Sequence, residues 1–178
     1  MSLVILSSEK HHFSKEQRFE LFKIMRDAYS HSETEIWGGS YLRMSQDEYE
    51  NLIDEGKIMG AILDGKIVGS VYSRNINSNT STFGLLAVHG DFGNRGIGNS
   101  LVEAVEKRAV NEGSKFMDIE ILRPRDFVIP IKDRLRHWYE GINYVFTHSQ
   151  NFQDRRPDRA KELKVPSVFD CYRKELER

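Results

Sequence analysis

The 178-residue sequence predicts an open, mixed α/β sheet, and three observations lead there. Asp64-Gly65 lies between two short apolar runs, and both residue types tolerate positive φ, so the pair marks a tight hairpin. A glycine-rich stretch over 90–98 joins a β-type run to the most regular helical pattern in the chain. After that helix, β-type and helical runs alternate, which requires a strand–helix–strand crossover. An antiparallel meander feeding such a crossover makes the sheet mixed.

The elements follow in order. Leu3, Val4, Ile5 and Leu6 read as a short strand. Ser14 stands three residues before Gln17 in a capping-box arrangement, and Phe19, Phe22, Met25 and Tyr29 recur at helical spacing, which predicts an amphipathic helix over 15–31. A loop over 31–41, containing Gly38-Gly39, leads to Ser45, which caps an acidic second helix ending near Glu55. Strands over 58–63 and 67–72 flank the hairpin turn. A polar turn over 75–81 precedes a strand over 82–88. In the helix over 96–111, Ile97, Leu101, Val105 and Ala109 form one stripe, and Gly113 stops it. A strand over 116–122, a helix over 131–141, and strands over 144–151 and 168–173 complete the series. No repeat or low-complexity linker divides the chain, so residues 1–178 are expected to form one domain.

Composition narrows the function. A formal charge of −1 argues against a general nucleic-acid binder, which carries a basic excess. Cys171 is the sole cysteine, so no intrachain disulfide forms. No apolar run reaches the ~20 residues of a membrane helix, and the first residues lack the basic flank of a secretory signal. The expectation is a cytoplasmic protein with small-molecule partners and no membrane contact. His11-His12 lacks ligand spacing and companions, so no metal is expected.

The stretch from Val88 to Ser100 is the informative one. A strand ends, a glycine-rich turn follows, and a helix begins at once, so unpaired amides at the helix N-terminus point outward. With the helix dipole they suit a pyrophosphate. The pattern is neither a P-loop nor a Rossmann fingerprint. Leu85-Leu86-Ala87-Val88, Arg95-Gly96-Ile97-Gly98 and the helix after them resemble the acetyl-CoA motif of the GNAT acetyltransferase superfamily, Arg/Gln-x-x-Gly-x-Gly/Ala. The resemblance covers most of residues 58–147 and implies the GNAT fold with acetyl-CoA as co-substrate. It implies that backbone groups of Leu86, Ala87 and Val88 bind the pantetheine arm like an added strand. Amides of Asn94, Arg95, Gly96, Ile97, Gly98, Asn99 and Ser100 would surround the pyrophosphate. Gly93 departs from the motif, standing where the family has Arg or Gln; either the cofactor is held less tightly or Arg95 compensates.

Acetyl transfer to an amine needs a deprotonated nitrogen, support for the oxyanion and a proton for the departing thiolate. A tyrosine suits the last role, because its pKa of ~10 lies above the ~8.5 of a thiol. The segment from Leu135 to Tyr144 resembles the family's late helix, and Tyr139 falls on the position of the catalytic acid; a packed aromatic would look the same. Lys132 stands seven residues earlier, where the family often has Asn. Thr82-Phe83-Gly84-Leu85 lacks the Glu that many members carry before the loop. Asp118 and Glu120 share one face of their strand, and Glu120, acting directly or through water, is the candidate base beside His89 and a water relay.

The resemblance places the acceptor pocket at 31–42, including Trp37, and at 144–153. The acidic helix face of Asp47, Glu48, Glu50 and Asp54 is either solvated or attracts a cationic amine. Residues 154–164, with Arg155, Arg156 and Arg159, read as a charged surface excursion or a contact for the cofactor's 3′-phosphate. The expected activity is direct acetylation of a primary amine on a small molecule or peptide. Cys171 has no neighbouring base in sequence and so does not suggest a ping-pong route. A CoA-binding sensor without catalysis is the alternative, favoured by Gly93, Lys132 and the missing strand carboxylate. A homodimer is the default assembly.

Overall fold

The computed structural model describes residues 2–38 and 43–177. Seven strands form one sheet in the order β1-β2-β3-β4-β5-β7-β6. They are β1 (Leu3–Ser7), β2 (Ile58–Leu63), β3 (Lys66–Asn75), β4 (Thr80–Val88), β5 (Phe116–Pro124), β6 (Val145–Asn151) and β7 (Ser167–Glu175). The helices are α1 (Lys15–Ser32), α2 (Thr34–Trp37), α3 (Gln46–Asp54), α4 (Ile97–Asn111), α5 (Pro130–Gly141) and α6 (Phe152–Arg155). Every strand pair is antiparallel except β4 with β5, which the α4 crossover makes parallel. The mixed α/β sheet predicted from the sequence is therefore present.

Local chemistry explains most boundaries. Asp64 and Gly65 have φ of 49° and 83°, the paired positive values of a tight hairpin turn. Ser14 with Gln17 and Ser45 with Glu48 both complete capping boxes. The expected polar turn over 75–81 shortens, because the Asn77 side chain accepts from the amides of Asn79 and Thr80 and closes the chain on itself. The expected loop after α1 also tightens: Glu33 interrupts the helix, and α2 resumes with the Trp37 amide bonded to the Glu33 carbonyl at 3.1 Å. Gly39 and Tyr41, at the end of that expected loop, lie outside the described residues. The excursion over 154–164 is partly helical, through α6 and a 3-10 turn at Ala160–Glu162.

Two core layers cover the sheet. Leu21, Phe22 and Met25 of α1 pack with Tyr49 and Ile53 of α3 on one face. Ile97, Leu101, Val105 and Ala109 of α4 pack on the other, with Tyr139 of α5 beside them. The apolar stripe read from the sequence is the buried face of α4.

Candidate active site

Two irregularities in β4 open the site. The strand pairs with β5 only from Thr80 to Thr82, against Phe116 to Asp118. Beyond Thr82 its edge has no strand partner, although β5 continues along β7 to Pro124. At the same place the register with β3 slips: Tyr72 faces Gly84, but Ser70 faces Ala87. One residue is inserted, and Leu85 takes φ 52°, a left-handed conformation costing a non-glycine residue about 1–2 kcal/mol. As a consequence Phe83 packs in the α4 layer whereas Leu85 packs in the α1 layer, though a regular strand would put both on one face. Strain of this kind persists where the surroundings demand it, commonly at functional sites.

The gap opens into a cleft of about 910 Å³ lined by Leu86, Ala87 and Val88 on one wall and by Asp118, Glu120 and Leu122 on the other. Extended backbone with an unpaired edge suits a linear ligand added as a further strand. Past Val88 the chain makes a 3-10 turn at Gly90–Phe92, where the His89 ring accepts from the Asp91 amide at 3.1 Å. His89 does not line the cleft. Asn94 and Gly96 then adopt positive φ, 59° and 76°. Gly96 caps α4 without any side-chain hydrogen bond, in contrast to α1 and α3, and no acidic residue occupies the first turn. The amides of Ile97, Gly98 and Asn99 therefore face outward, as an anion requires. Ser100 differs from these, since its amide donates to the Gly96 carbonyl at 3.0 Å within the helix. Ile97 contributes only its amide, since its side chain is buried in the core. Trp138 lies 3.6 Å from where a Cβ on Gly98 would stand and donates from Nε1 to Asn99 at 3.1 Å. Beside the loop, Arg95 and Lys66 each approach the Phe92 ring to 5.2 Å, so two cations stand where Gly93 offers none. A phosphate-bearing ligand fits this loop.

Tyr139 reaches the cleft from α5 and is 6% exposed, packed against Trp138 and Tyr144 at ring distances of 4.9 and 5.7 Å. Burial, and after it the neighbouring Tyr29, raises its phenol well above the ordinary 10.0. Its proton therefore stays on at neutral pH. Tyr144, five residues on, instead donates to Glu106 at 2.6 Å. The two carboxylates of β5 are both ion-paired: Asp118 with Arg173 at 2.7 Å, and Glu120 with Arg155. Cys171 lines the same wall, and burial followed by the nearby Glu120 charge pushes its thiol up.

At one end of the cleft, residues far apart in sequence meet around Glu33. Glu33, only 2% exposed, accepts from Lys132 at 2.7 Å, from Arg43 at 2.8 and 2.9 Å, and from Trp37 Nε1 at 3.0 Å. Burial alone would raise its carboxyl, but the charges of Arg43 and Lys132 more than reverse this and hold it below the usual range. Lys132 is pulled down, first by burial and also by Arg43, despite its bond to Glu33. Its ammonium is thus committed to Glu33 inside the wall. Tyr29 lies under Arg43 at 4.7 Å, and its burial raises the phenol to about 12. The acidic face of α3 points elsewhere: Glu50 and Asp54 bind Arg18, and Glu48 serves the capping box. Arg155, Arg156 and Arg159 line the cleft, and none of residues 93–98 does. Among the described residues no group of three or more His, Cys, Asp or Glu is placed to hold a metal, and no helix is long and apolar enough to cross a membrane.

A split between β4 and β5 leading to an uncapped glycine-rich helix start defines an acyl-CoA-type transferase fold, and residues 20–129 match the family model for the acetyltransferase (GNAT) family. The chain belongs to that family. It is similar to an acetyltransferase of Pectobacterium atrosepticum, with 29% identity over 102 residues, covering 57% of this chain and 70% of the relative. In structure it resembles Ard1 from Thermoplasma volcanium, with a TM-score of 0.72, 14% identity and full coverage of both chains. It also resembles a GNAT family acetyltransferase from Elizabethkingia anophelis with acetyl-CoA bound, with a TM-score of 0.66, 16% identity and 98% coverage of each chain.

Proposed function

We propose that this chain transfers the acetyl group of acetyl-CoA directly to a primary amine held in the same cleft. The observation that carries the reading is that the unpaired β4 edge and Tyr139 line one cleft, with the uncapped start of α4 following β4 along the chain. When bound, acetyl-CoA supplies an activated acyl carbon and a thiol leaving group. The loop from Asn94 to Asn99 would hold its pyrophosphate, and Leu86, Ala87 and Val88 its pantetheine arm. Backbone amides of β4 beside the bulge would serve the oxyanion, where the strand has no β5 partner. Tyr139 keeps its proton until the sulfur departs, then donates it; desolvation in the same cleft also raises the basicity of the thiolate, which offsets the high pKa of the donor. The proton lost by nitrogen leaves through water, or through Glu120 once that carboxylate releases Arg155.

Direct transfer is supported by Cys171, whose raised pKa keeps it a thiol and a poor nucleophile. One observation favours the second reading, a CoA-binding module without catalysis: among the described residues, every carboxylate lining the cleft is ion-paired. Thiol release from acetyl-CoA with a panel of amines tests both. Amine-dependent release supports the transferase. Binding of acetyl-CoA with no release across the panel supports the module, and absence of binding overturns both.

A further inference from the structure

We propose that the acceptor is an amine bearing a carboxylate, an amino acid in chemical class, held by Arg43 and Arg159 at the end of the cleft where Arg43 and Lys132 share Glu33. This rests on the acetyl-transfer reading and adds the substrate class to it.

The argument begins with charge. The chain as a whole carries −1, yet seven basic and only three acidic side chains line the cleft. The surplus is not spread evenly. On β5 each carboxylate is matched by one guanidinium, Asp118 by Arg173 and Glu120 by Arg155. At Glu33 the matching fails, because one carboxylate serves both Lys132 and Arg43. Arg159 joins the same group. Its Nη1 donates to the Arg43 carbonyl at 3.3 Å, and its guanidinium lies 5.9 Å from the Trp37 ring that is bonded to Glu33. The acidic partner of Arg159 is Glu162, a half-exposed neighbour three residues on, whose field water largely screens. Two cations therefore share one buried carboxylate, and a third adjoins them, in a wall where charges interact more strongly than in water. A polyamine or aminoglycoside entering there meets like charge. A carboxylate meets guanidinium groups suited to bind it through two parallel hydrogen bonds.

Position agrees with charge. Tyr29 packs its ring under Arg43 at 4.7 Å, and Lys132 lies 5.9 Å from the same ring. The hydroxyl of Tyr29 meets the backbone of Leu86 at the β4 bulge. The cationic group and the reacting end of the cleft are thus about one tyrosine side chain apart, so amine and carboxylate belong to one small molecule. In the step itself the neutral amine forms a C–N bond to the acetyl carbon as the C–S bond breaks. The sulfur gains a proton and the nitrogen loses one.

The test uses the full chain. Acetyl-CoA binding is first measured by calorimetry. Thiol release is then followed with the common L-amino acids, their α-carboxamides and their decarboxylated amines. For the best amino acid, kcat/KM should exceed that of its carboxamide by roughly tenfold or more, the effect of about one charge-assisted hydrogen bond. Arg159→Gln should raise KM for that amino acid roughly tenfold, leave KM for acetyl-CoA unchanged, and erase the preference over the carboxamide. Arg43→Lys, which keeps a charge beside Glu33, is the second variant, and it should raise the same KM by a smaller factor. Carboxamides or decarboxylated amines that react equally well overturn the proposal, as does an unchanged KM in both variants. If nothing reacts, calorimetry of amino acids against carboxamides on the CoA-loaded protein decides it: selective binding supports the carboxylate site without the transfer, and equal binding overturns it. Failure of acetyl-CoA to bind removes the parent reading and this one with it.

Discussion

Glu33→Gln is the substitution whose cost the structure defines best. The amide keeps the shape of the carboxylate but removes the charge that offsets Lys132, which is 7% exposed, and Arg43. Removing one partner of a buried ion pair costs about 3–5 kcal/mol, mainly because the remaining charge is left uncompensated. A domain of this length loses roughly 2–4 °C in Tm per kcal/mol, so the variant should melt roughly 6–20 °C lower. Glu33→Gln combined with Lys132→Met should recover much of the loss, since the orphaned ammonium is the source of it. The pH dependence follows from the depressed carboxyl of Glu33. A folded pKa below the unfolded one contributes stability that is fully present above the unfolded value and is lost as pH falls through the folded one. The difference in Tm between wild type and Glu33→Gln should therefore be largest at neutral pH and shrink in the acid range. Differential scanning calorimetry from pH 7 to pH 3 reads all of this. A single variant within about 1 kcal/mol of wild type, or a double variant no more stable than the single, would refute the account.

Three further outcomes concern the chemistry. Tyr139→Phe should lower kcat by roughly 10²–10⁴ with acetyl-CoA affinity nearly unchanged, and an unaltered rate would remove Tyr139 from the acid role. Cys171→Ser should leave kcat within about threefold, and intact mass should show no acetyl adduct on the wild-type protein, as expected for an unactivated thiol. Glu120→Gln should cost about tenfold or less, because its oxygens serve Arg155 in the resting site; a fall of roughly 10² or more would make it the base.

What the sequence disclosed was local. Hairpin, capping boxes and the glycine-rich helix start each depend on residues within a few positions of one another, so Asp64-Gly65, Ser14 with Gln17, and Gly96 with Gly98 announce themselves. The distinction between Tyr139 and Tyr144 was not local, since only the fold shows which hydroxyl meets Glu106 and which lines the cleft. Leu85 carries no sign of its left-handed φ, because leucine has no preference for it and the bulge comes from pairing across strands. Lys132 stood out as a departure from the family pattern, yet its partner lies 99 residues earlier. Glu33 itself left one faint signal: an acid at the C-terminal end of a helix opposes the macrodipole and needs a compensating cation. The arginines of 155–159 looked like surface charge because they follow no period; α6 and the turn after it aim them into the cleft.

The sheet joins its two parts weakly at the candidate site, so acetyl-CoA bound there as proposed would have a mechanical effect that can be measured. Nine residue pairs hold β5 to β7, but only three hold β4 to β5. Beyond Thr82 the strands β1–β4 and the strands β5, β7 and β6 share no backbone bond across the gap. An arm lying along Leu86, Ala87 and Val88 would add hydrogen bonds there and also bind the start of α4. A ligand that binds only the folded state stabilises it by about 2.7 kcal/mol at 100 times its Kd, which for this length is roughly 5–11 °C in Tm. The gain should appear locally as slower amide exchange over residues 83–88 and 96–99, with α3 unaffected. A rise in Tm without protection of 83–88 would mean that the ligand binds elsewhere and that the split between β4 and β5 is not its site.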